Sequence, residues 1–308
     1  MAEPEAHTEG QFQPEQESIA PQNHRTRTLE YVKVIVVTVL VALFLKTFIV
    51  EAYRIPSGSM ENTLLVGDFL LVNKLAYGFR TPSRVPLTNV AMPTLNIPLW
   101  GSIHRGDVVV FEYPGSLDEV KPPKAVNYVK RCIGLSGDTV RIVHGKVIVN
   151  GNELILPRFA KPVEESAFYF DSRRATPFPP GSAFTPFDYG PIVVPKMGDT
   201  VELDGSSISR WKTLIEREGH AVLLDGTNQV FIDGRKTNQY VVERNYYFML
   251  GDNRDNSLDS RYWGYVPDKN IVGEALMVYW SWVGESSSGS LMTRSSKIRW
   301  NRIGTIIK

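Results

Sequence analysis

Polar and apolar positions divide the chain into stretches of different character. Residues 1–29 are polar and rich in Glu, Gln and Pro, with too few apolar side chains to offset the entropy of ordering, and read as a flexible tail. Over 31–50 the sequence becomes YVKVIVVTVLVALFLKTFIV, close to the roughly 20 residues that cross a bilayer. Lys33 and Lys46 lie near its ends and can snorkel towards headgroups, so 30–52 is expected to be a single transmembrane anchor. Beyond it, short β-branched or aromatic runs bounded by Gly, Pro and Asp predict strands at 68–75, 107–113, 126–133 and 139–143, paired as an antiparallel meander. Two runs, 146–154 (KVIVNGNEL) and 229–237 (QVFIDGRKT), put Asn-Gly or Asp-Gly after an apolar strand, which predicts hairpins. Between them lie a Pro-rich linker at 175–186 and a helix at 207–218, whose Ile208, Trp211, Leu214 and Ile215 fall at helical spacing before Gly219. The expected architecture is mainly β: one N-terminal transmembrane helix, then an antiparallel β-rich domain built from 53–151 and 241–308. Residues 152–240 are expected to form an inserted smaller lobe.

Composition narrows the function. With 34 basic against 33 acidic residues the net charge is +1, which excludes the broad basic surface that nucleic acid requires. The single cysteine, Cys132, excludes an internal disulfide framework and any CxxC metal or redox site. Arg25, Arg27 and Lys33 precede the apolar run and only Arg54 follows closely, so the N-terminus is expected in the cytoplasm and the β domain outside. Val50-Glu51-Ala52 fits a small-x-small cleavage pattern, but the apolar stretch is longer than a usual leader core and begins some thirty residues in, which favours an anchor. The apolar stretch 85–100, with Trp280 and Trp282, is expected either to rest on the bilayer surface or to pack as ordinary core and loop.

Several catalytic signatures are absent, among them a G-x-S-x-G elbow, H-E-x-x-H, a P-loop and a G-x-G-x-x-G opening a helix. Of the histidines, His7 and His24 lie in the tail, and His104, His144 and His220 sit beside Gly or in predicted loops, where turn or surface roles are the better reading. Three segments remain. Residues 54–64 (RIPSGSMENTL) set Ser57 and Ser59 in a Pro- and Gly-shaped backbone, which suits either an exposed nucleophile or a plain linker. Strand alternation puts Lys130 on one face with Val126, Tyr128 and Cys132, and Arg131 on the other with Asn127, Val129 and Ile133. Lys130 is then either a desolvated amine able to act as a general base or an ordinary solvent-facing lysine. Residues 251–264 (GDNRDNSLDSRYWG) read as a catalytic-site loop, a surface loop of Asx turns and ion pairs, or a calcium loop; for calcium the EF-hand spacing fails.

In order along the chain, the apolar span, IPSGSM-x-x-TL, RGDVVVF, YVKRCIGLSGD and GDNRDNSLDSRYWGYVP resemble the blocks of bacterial type I signal peptidases, the leader peptidases that cut signal peptides from exported proteins. The resemblance implies a serine endopeptidase of the cytoplasmic membrane that cleaves after Ala-x-Ala-like sites, with signal peptides and the lipid bilayer as partners and no metal or cofactor. It implies Ser59 as nucleophile, Lys130 as general base, and the Ser57 hydroxyl beside the Ser59 amide as oxyanion hole. It also implies that Ser257 orients Lys130 and that Asp252, Arg254, Asp259 and Arg261 are structural ion-pair and loop residues near the site. Two family prolines are replaced, by Asn62 and Ser136, and 152–240 matches only loosely. A membrane-tethered binding module, which needs no Lys130, and a Ser/Lys enzyme that processes its own chain are the competing readings.

Overall fold

The computed structural model describes residues 24–81, 96–97, 101–155, 176–283 and 298–308. Two compact units divide the chain, Met1–Phe44 and Leu45–Lys308. The first unit's described part is wholly helical, in a helix that runs His24–Phe48, of which Thr28–Phe48 has a mean hydropathy of 2.2 and no buried residue. A helix apolar all round whose Val, Ile and Leu side chains are exposed has lipid as its natural solvent. The helix stops at Phe48. Residues 50–52, expected inside the anchor, instead open the strand Val50–Arg54, paired in register with Asp68–Asn73. The small-x-small tripeptide Val50-Glu51-Ala52 is therefore held in a sheet.

In the second unit the expected antiparallel β architecture is present. Eight strands among the described residues form the main sheet, in the order Val50–Arg54, Asp68–Asn73, Ile271–Ser281, Val108–Glu112, Asn127–Gly134, Tyr246–Leu250 and Val266–Pro267, with Thr305–Ile306 beside Ile271–Ser281. The expected meander is corrected: of its expected strands in the main sheet only Val108–Glu112 and Asn127–Gly134 pair with each other, and Ile271–Ser281 separates Asp68–Asn73 from them. That eleven-residue strand was not recognised in the sequence, because EALM favours helix. Gly273 lets it pass close to its neighbour, since a Cβ there would lie 2.3 Å from the Asn73 carbonyl oxygen. Register shifts at Ala275/Met277 and Val278/Trp280 curl the sheet.

Thr139–Val143 belongs to a second sheet with Tyr189–Val193, Lys146–Val149 and Asn152–Glu153. Both expected hairpins form. Asn150 and Gly151 have φ of 52° and 82°, and Asp233 and Gly234 have 50° and 77°, the paired positive values of a two-residue turn matched to strand twist. His144-Gly145 makes a third such turn. The helix Ile208–Glu218 ends at Gly219, whose φ is 113°, and buries Ile208, Leu214 and Ile215. These side chains share one core with Ile133, Val140, Phe248 and Leu250 of the sheets. The stretch expected as a Pro-rich linker is packed where it is described: Phe178 is buried, and its amide donates to the Arg261 carbonyl at 2.7 Å. Of the apolar stretch 85–100, all but 96–97 lies outside the described residues; Trp280 stacks edge-on against Trp300 and Trp282 against Phe69.

Candidate active site

Between the strands Val50–Arg54 and Asp68–Asn73 the chain makes the loop that carries Ser57 and Ser59. Buried Ile55, Met60 and Leu64 anchor it to Leu70, Val72, Val108 and Val110. The Glu61 amide bonds the Gly58 carbonyl at 3.0 Å and the Leu64 amide the Met60 carbonyl at 2.7 Å, a tight turn starting at Ser59. Residues 251–253 grip this turn from the far end of the sequence. The Asn253 amide donates to the Ser59 carbonyl at 3.0 Å, its side-chain amide donates to Gly58 O and Glu61 Oε2, and Thr63 Oγ1 donates to Asp252 Oδ2 at 2.6 Å. Only glycine fits at 251, where a Cβ would lie 2.2 Å from Ser257 Oγ and 2.5 Å from the Ser59 carbonyl oxygen.

Lys130 comes to the same point from the strand Asn127–Gly134. Its side chain is 4 % exposed, and Nζ lies 2.7 Å from Ser59 Oγ and 3.2 Å from the Val129 carbonyl oxygen. Burial brings its pKa down to about 8, against the opposing pull of Asp259 and Asp252. Of its strand neighbours, Cys132 and Tyr128 pack in one apolar cluster with Val109 and Trp263, and Val129 in another, as alternation requires. Cys132 is fully buried and its thiol pKa is pushed up by that burial, so it serves packing.

A buried ionic frame surrounds the pair. Asp259 and Arg261, both wholly buried, form a two-bond fork at 2.9 Å, and Asp259 Oδ2 also accepts the Gly251 amide at 3.1 Å. Burial pushes the Asp259 pKa up, but Arg261 outweighs it and holds it below the usual range. Asp252 pairs with Arg131, at 2.9 and 2.7 Å. Sequence reasoning assigned no role to Arg131; its signal was its place next to Lys130 on the opposite strand face. Arg254, grouped with Asp252 in the sequence, bonds the Gly251 carbonyl through Nε, and burial brings its pKa down to about 10. Ser257 is buried beside Asp259, whose carboxyl it helps hold below the usual range; the hydrogen bonds of Lys130 Nζ among the described residues go to Ser59 Oγ and the Val129 carbonyl. Ser57 is exposed beside Ser59.

These residues open onto a cleft of about 370 Å³ lined by Tyr53, Ile55, Ser57, Ser59, Met60, Val126, Tyr128, Lys130 and Leu258, among others. Strand edges border it: Val50–Arg54 ends the main sheet, and 127–130 pair only with Val108–Glu112, because Tyr246–Leu250 joins at Arg131 and beyond. None of the described histidines lines the cleft; His104 and His144 are exposed, and His220 lies between Asp233 and Glu243. Among the described residues there is no cluster able to hold a metal ion. Ser136 bridges Tyr246, donating to its carbonyl at 2.8 Å and accepting its amide at 3.0 Å, which ties down the turn at 134–138.

The model of the family "Signal peptidase, peptidase S26" matches residues 28–280, which contain this whole constellation. Signal peptidase I of Pseudomonas aeruginosa is 35% identical over 285 residues, 89% of this chain and 80% of that protein. Signal peptidase I of Buchnera aphidicola (Schizaphis graminum) is 32% identical, over 87% of this chain and 78% of its own length. Signal peptidase I of Aquifex aeolicus is 33% identical, covering 79% and 80%. With a serine and a buried lysine in hydrogen-bond contact at the centre of the matched region, the chain belongs to the signal peptidase family, peptidase S26.

Proposed function

We propose that the chain is a membrane-bound serine endopeptidase that removes N-terminal signal peptides from exported preproteins, cutting after small-x-small sites with a Ser59/Lys130 dyad. The observation that carries this reading is the 2.7 Å contact between Ser59 Oγ and a buried lysine whose pKa is brought down to about 8. When the amine is neutral the same contact runs the other way, with the Ser59 hydroxyl donating to Nζ. Ser59 Oγ then bonds to the substrate carbonyl carbon, its proton passes to Lys130, and the carbonyl electron pair moves onto oxygen beside the Ser59 amide and the Ser57 hydroxyl. The ammonium returns that proton to the leaving amine as the C–N bond breaks. Water, deprotonated in turn by Lys130, hydrolyses the acyl-enzyme, so these side chains complete the chemistry.

The free strand edges beside the cleft suit an extended peptide that adds its own backbone hydrogen bonds, and the apolar cleft walls suit small side chains. The helix His24–Phe48 fits a single membrane anchor, and the positive charge in its first turns, ahead of the apolar run, supports a cytoplasmic N-terminus with the dyad outside. Exposed Trp300, with Trp282 and Val283, supports contact of the second unit with the bilayer surface. Detergent-solubilised protein incubated with a preprotein carrying Ala-x-Ala should release the signal peptide, and Ser59→Ala should not. Equal processing by both would exclude Ser59 as nucleophile.

A further inference from the structure

The helix Ile208–Glu218 holds the loop that runs to the cleft wall, chiefly through one side chain. Arg217 turns its guanidinium into the loop that joins the strands Val108–Glu112 and Asn127–Gly134, donating to the carbonyls of Gly115 at 2.9 Å, Ser116 at 2.7 Å and Glu119 at 3.0 Å. Thr213 Oγ1 donates to the Leu117 carbonyl one helical turn earlier, and Lys269 Nζ holds the Arg217 carbonyl at 2.7 Å. Among the described residues Arg217 forms no ion pair within 4 Å, and burial brings its pKa down to about 10, so a cation is spent on carbonyl groups alone. Gly115 has φ of 103° and a Cβ there would lie 3.2 Å from the Arg217 guanidinium, so the loop is shaped to this contact.

The held loop carries Tyr113. Its hydroxyl lies 3.3 Å from Ser116 Oγ, and its ring stacks on Tyr128 with centroids 4.7 Å apart, edge-on to Trp263 at 5.2 Å. Tyr128 lines the cleft, and Lys130 Nζ lies 5.4 Å from its ring centroid. At the loop's end the Tyr113 amide donates to the Val126 carbonyl at 2.8 Å, and Asn127 Nδ2 donates across the cleft to Tyr53 Oη at 3.3 Å.

We propose that Arg217 is a positioning residue for catalysis: through the 115–119 carbonyls and the Tyr113 ring it presses Tyr128 against Lys130 and fixes the 126–128 wall of the substrate cleft. This gives the segment 152–240 a part in the reaction, and it rests on the Ser59/Lys130 reading above. The groups facing Lys130 are the Ser59 hydroxyl from its turn, Asp252 and Asp259 from the 251–259 loop, and Tyr128 on its own strand, while Val109 stands opposite on the neighbouring strand. Both carboxylates stay engaged by arginines, Asp252 by Arg131 and Asp259 by Arg261. The part of the lysine's apolar cover that Arg217 controls is the tyrosine ring. Loosening it admits water to the amine and favours its charged form.

The test uses the full chain in detergent with a peptide ending its leader in Ala-x-Ala, measuring kcat/KM and KM against pH and checking folding by thermal unfolding. Arg217→Met, which keeps the apolar stem and removes the fork, should move the acidic limb up by roughly 0.5–1 pH unit, a loss of about 3–10-fold in kcat/KM below the limb, and raise KM. Arg217→Lys should recover part of both. Tyr113→Leu, which leaves the clamp and removes the ring, should shift the limb in the same direction and decides the matter if Arg217→Met does not fold. Turnover by Ser59→Ala or Lys130→Ala would overturn the dyad reading itself. With both inactive, an acidic limb and KM unchanged in folded Arg217→Met, or unchanged in Tyr113→Leu, would overturn the clamp alone.

Discussion

At the scale of single residues, the proposed mechanism depends on Lys130, whose pKa burial brings down to about 8. Since only the neutral amine accepts the Ser59 proton, kcat/KM should climb about tenfold per pH unit below that value and level off above it. Lys130→Arg keeps charge and length but cannot deprotonate, so it should be as inactive as Lys130→Ala. A pH–rate profile of an active Lys130→Arg with its acidic limb in place would remove Lys130 from the mechanism. Asn62 is the second informative residue. Its φ of 78° is a left-handed value that asparagine tolerates and a proline ring forbids, so the turn after Ser59-Met60 as it stands cannot accept proline at 62. Asn62→Gly should leave stability within about 0.5 kcal/mol, whereas Asn62→Pro should cost more than about 1 kcal/mol, read from urea midpoints.

At the scale of elements, the turn that carries Ser59 is held by strands and loops remote in sequence. Asp68, wholly buried at the start of its strand, accepts the Leu65 amide at 2.9 Å and Ser281 Oγ at 2.6 Å, and takes both Arg299 and Arg302. Arg302 also donates to the Thr63 carbonyl at 2.9 Å, one residue from the turn. Asp68→Ala leaves two guanidinium groups facing each other without their carboxylate, and should destabilise the chain by about 3–5 kcal/mol. Its urea midpoint would fall accordingly; a midpoint equal to the parent's would mean that the arginines swing to solvent at no cost. Turn chemistry was the most legible feature at this scale: Asn150-Gly151 and Asp233-Gly234 need no tertiary contact to favour their hairpins. Strand order was not legible, because apolar alternation says which face is buried but not which neighbour lies alongside.

At the scale of the whole molecule, the charge asymmetry ahead of the apolar helix makes a topological prediction. Protease added to intact spheroplasts should digest the residues that follow the helix and spare the N-terminal tail. Protection of those residues until lysis would reverse the orientation.

What the sequence determined by itself were the features governed by local physics: an apolar run long enough for a bilayer, two-residue turns and the helix face of Ile208, Leu214 and Ile215; its motif blocks pointed to the family whose model matches 28–280. Only the tertiary structure decided that Ile271–Ser281 divides the main sheet and that Asp252 is matched to Arg131. The physical reason is sequence distance. Residues 59, 130 and 252 meet through contacts about 70 to 190 residues apart. Periodicity and propensity act over a turn or a strand, whereas desolvation of Lys130 and the partner of each buried charge depend on which distant segments close over them.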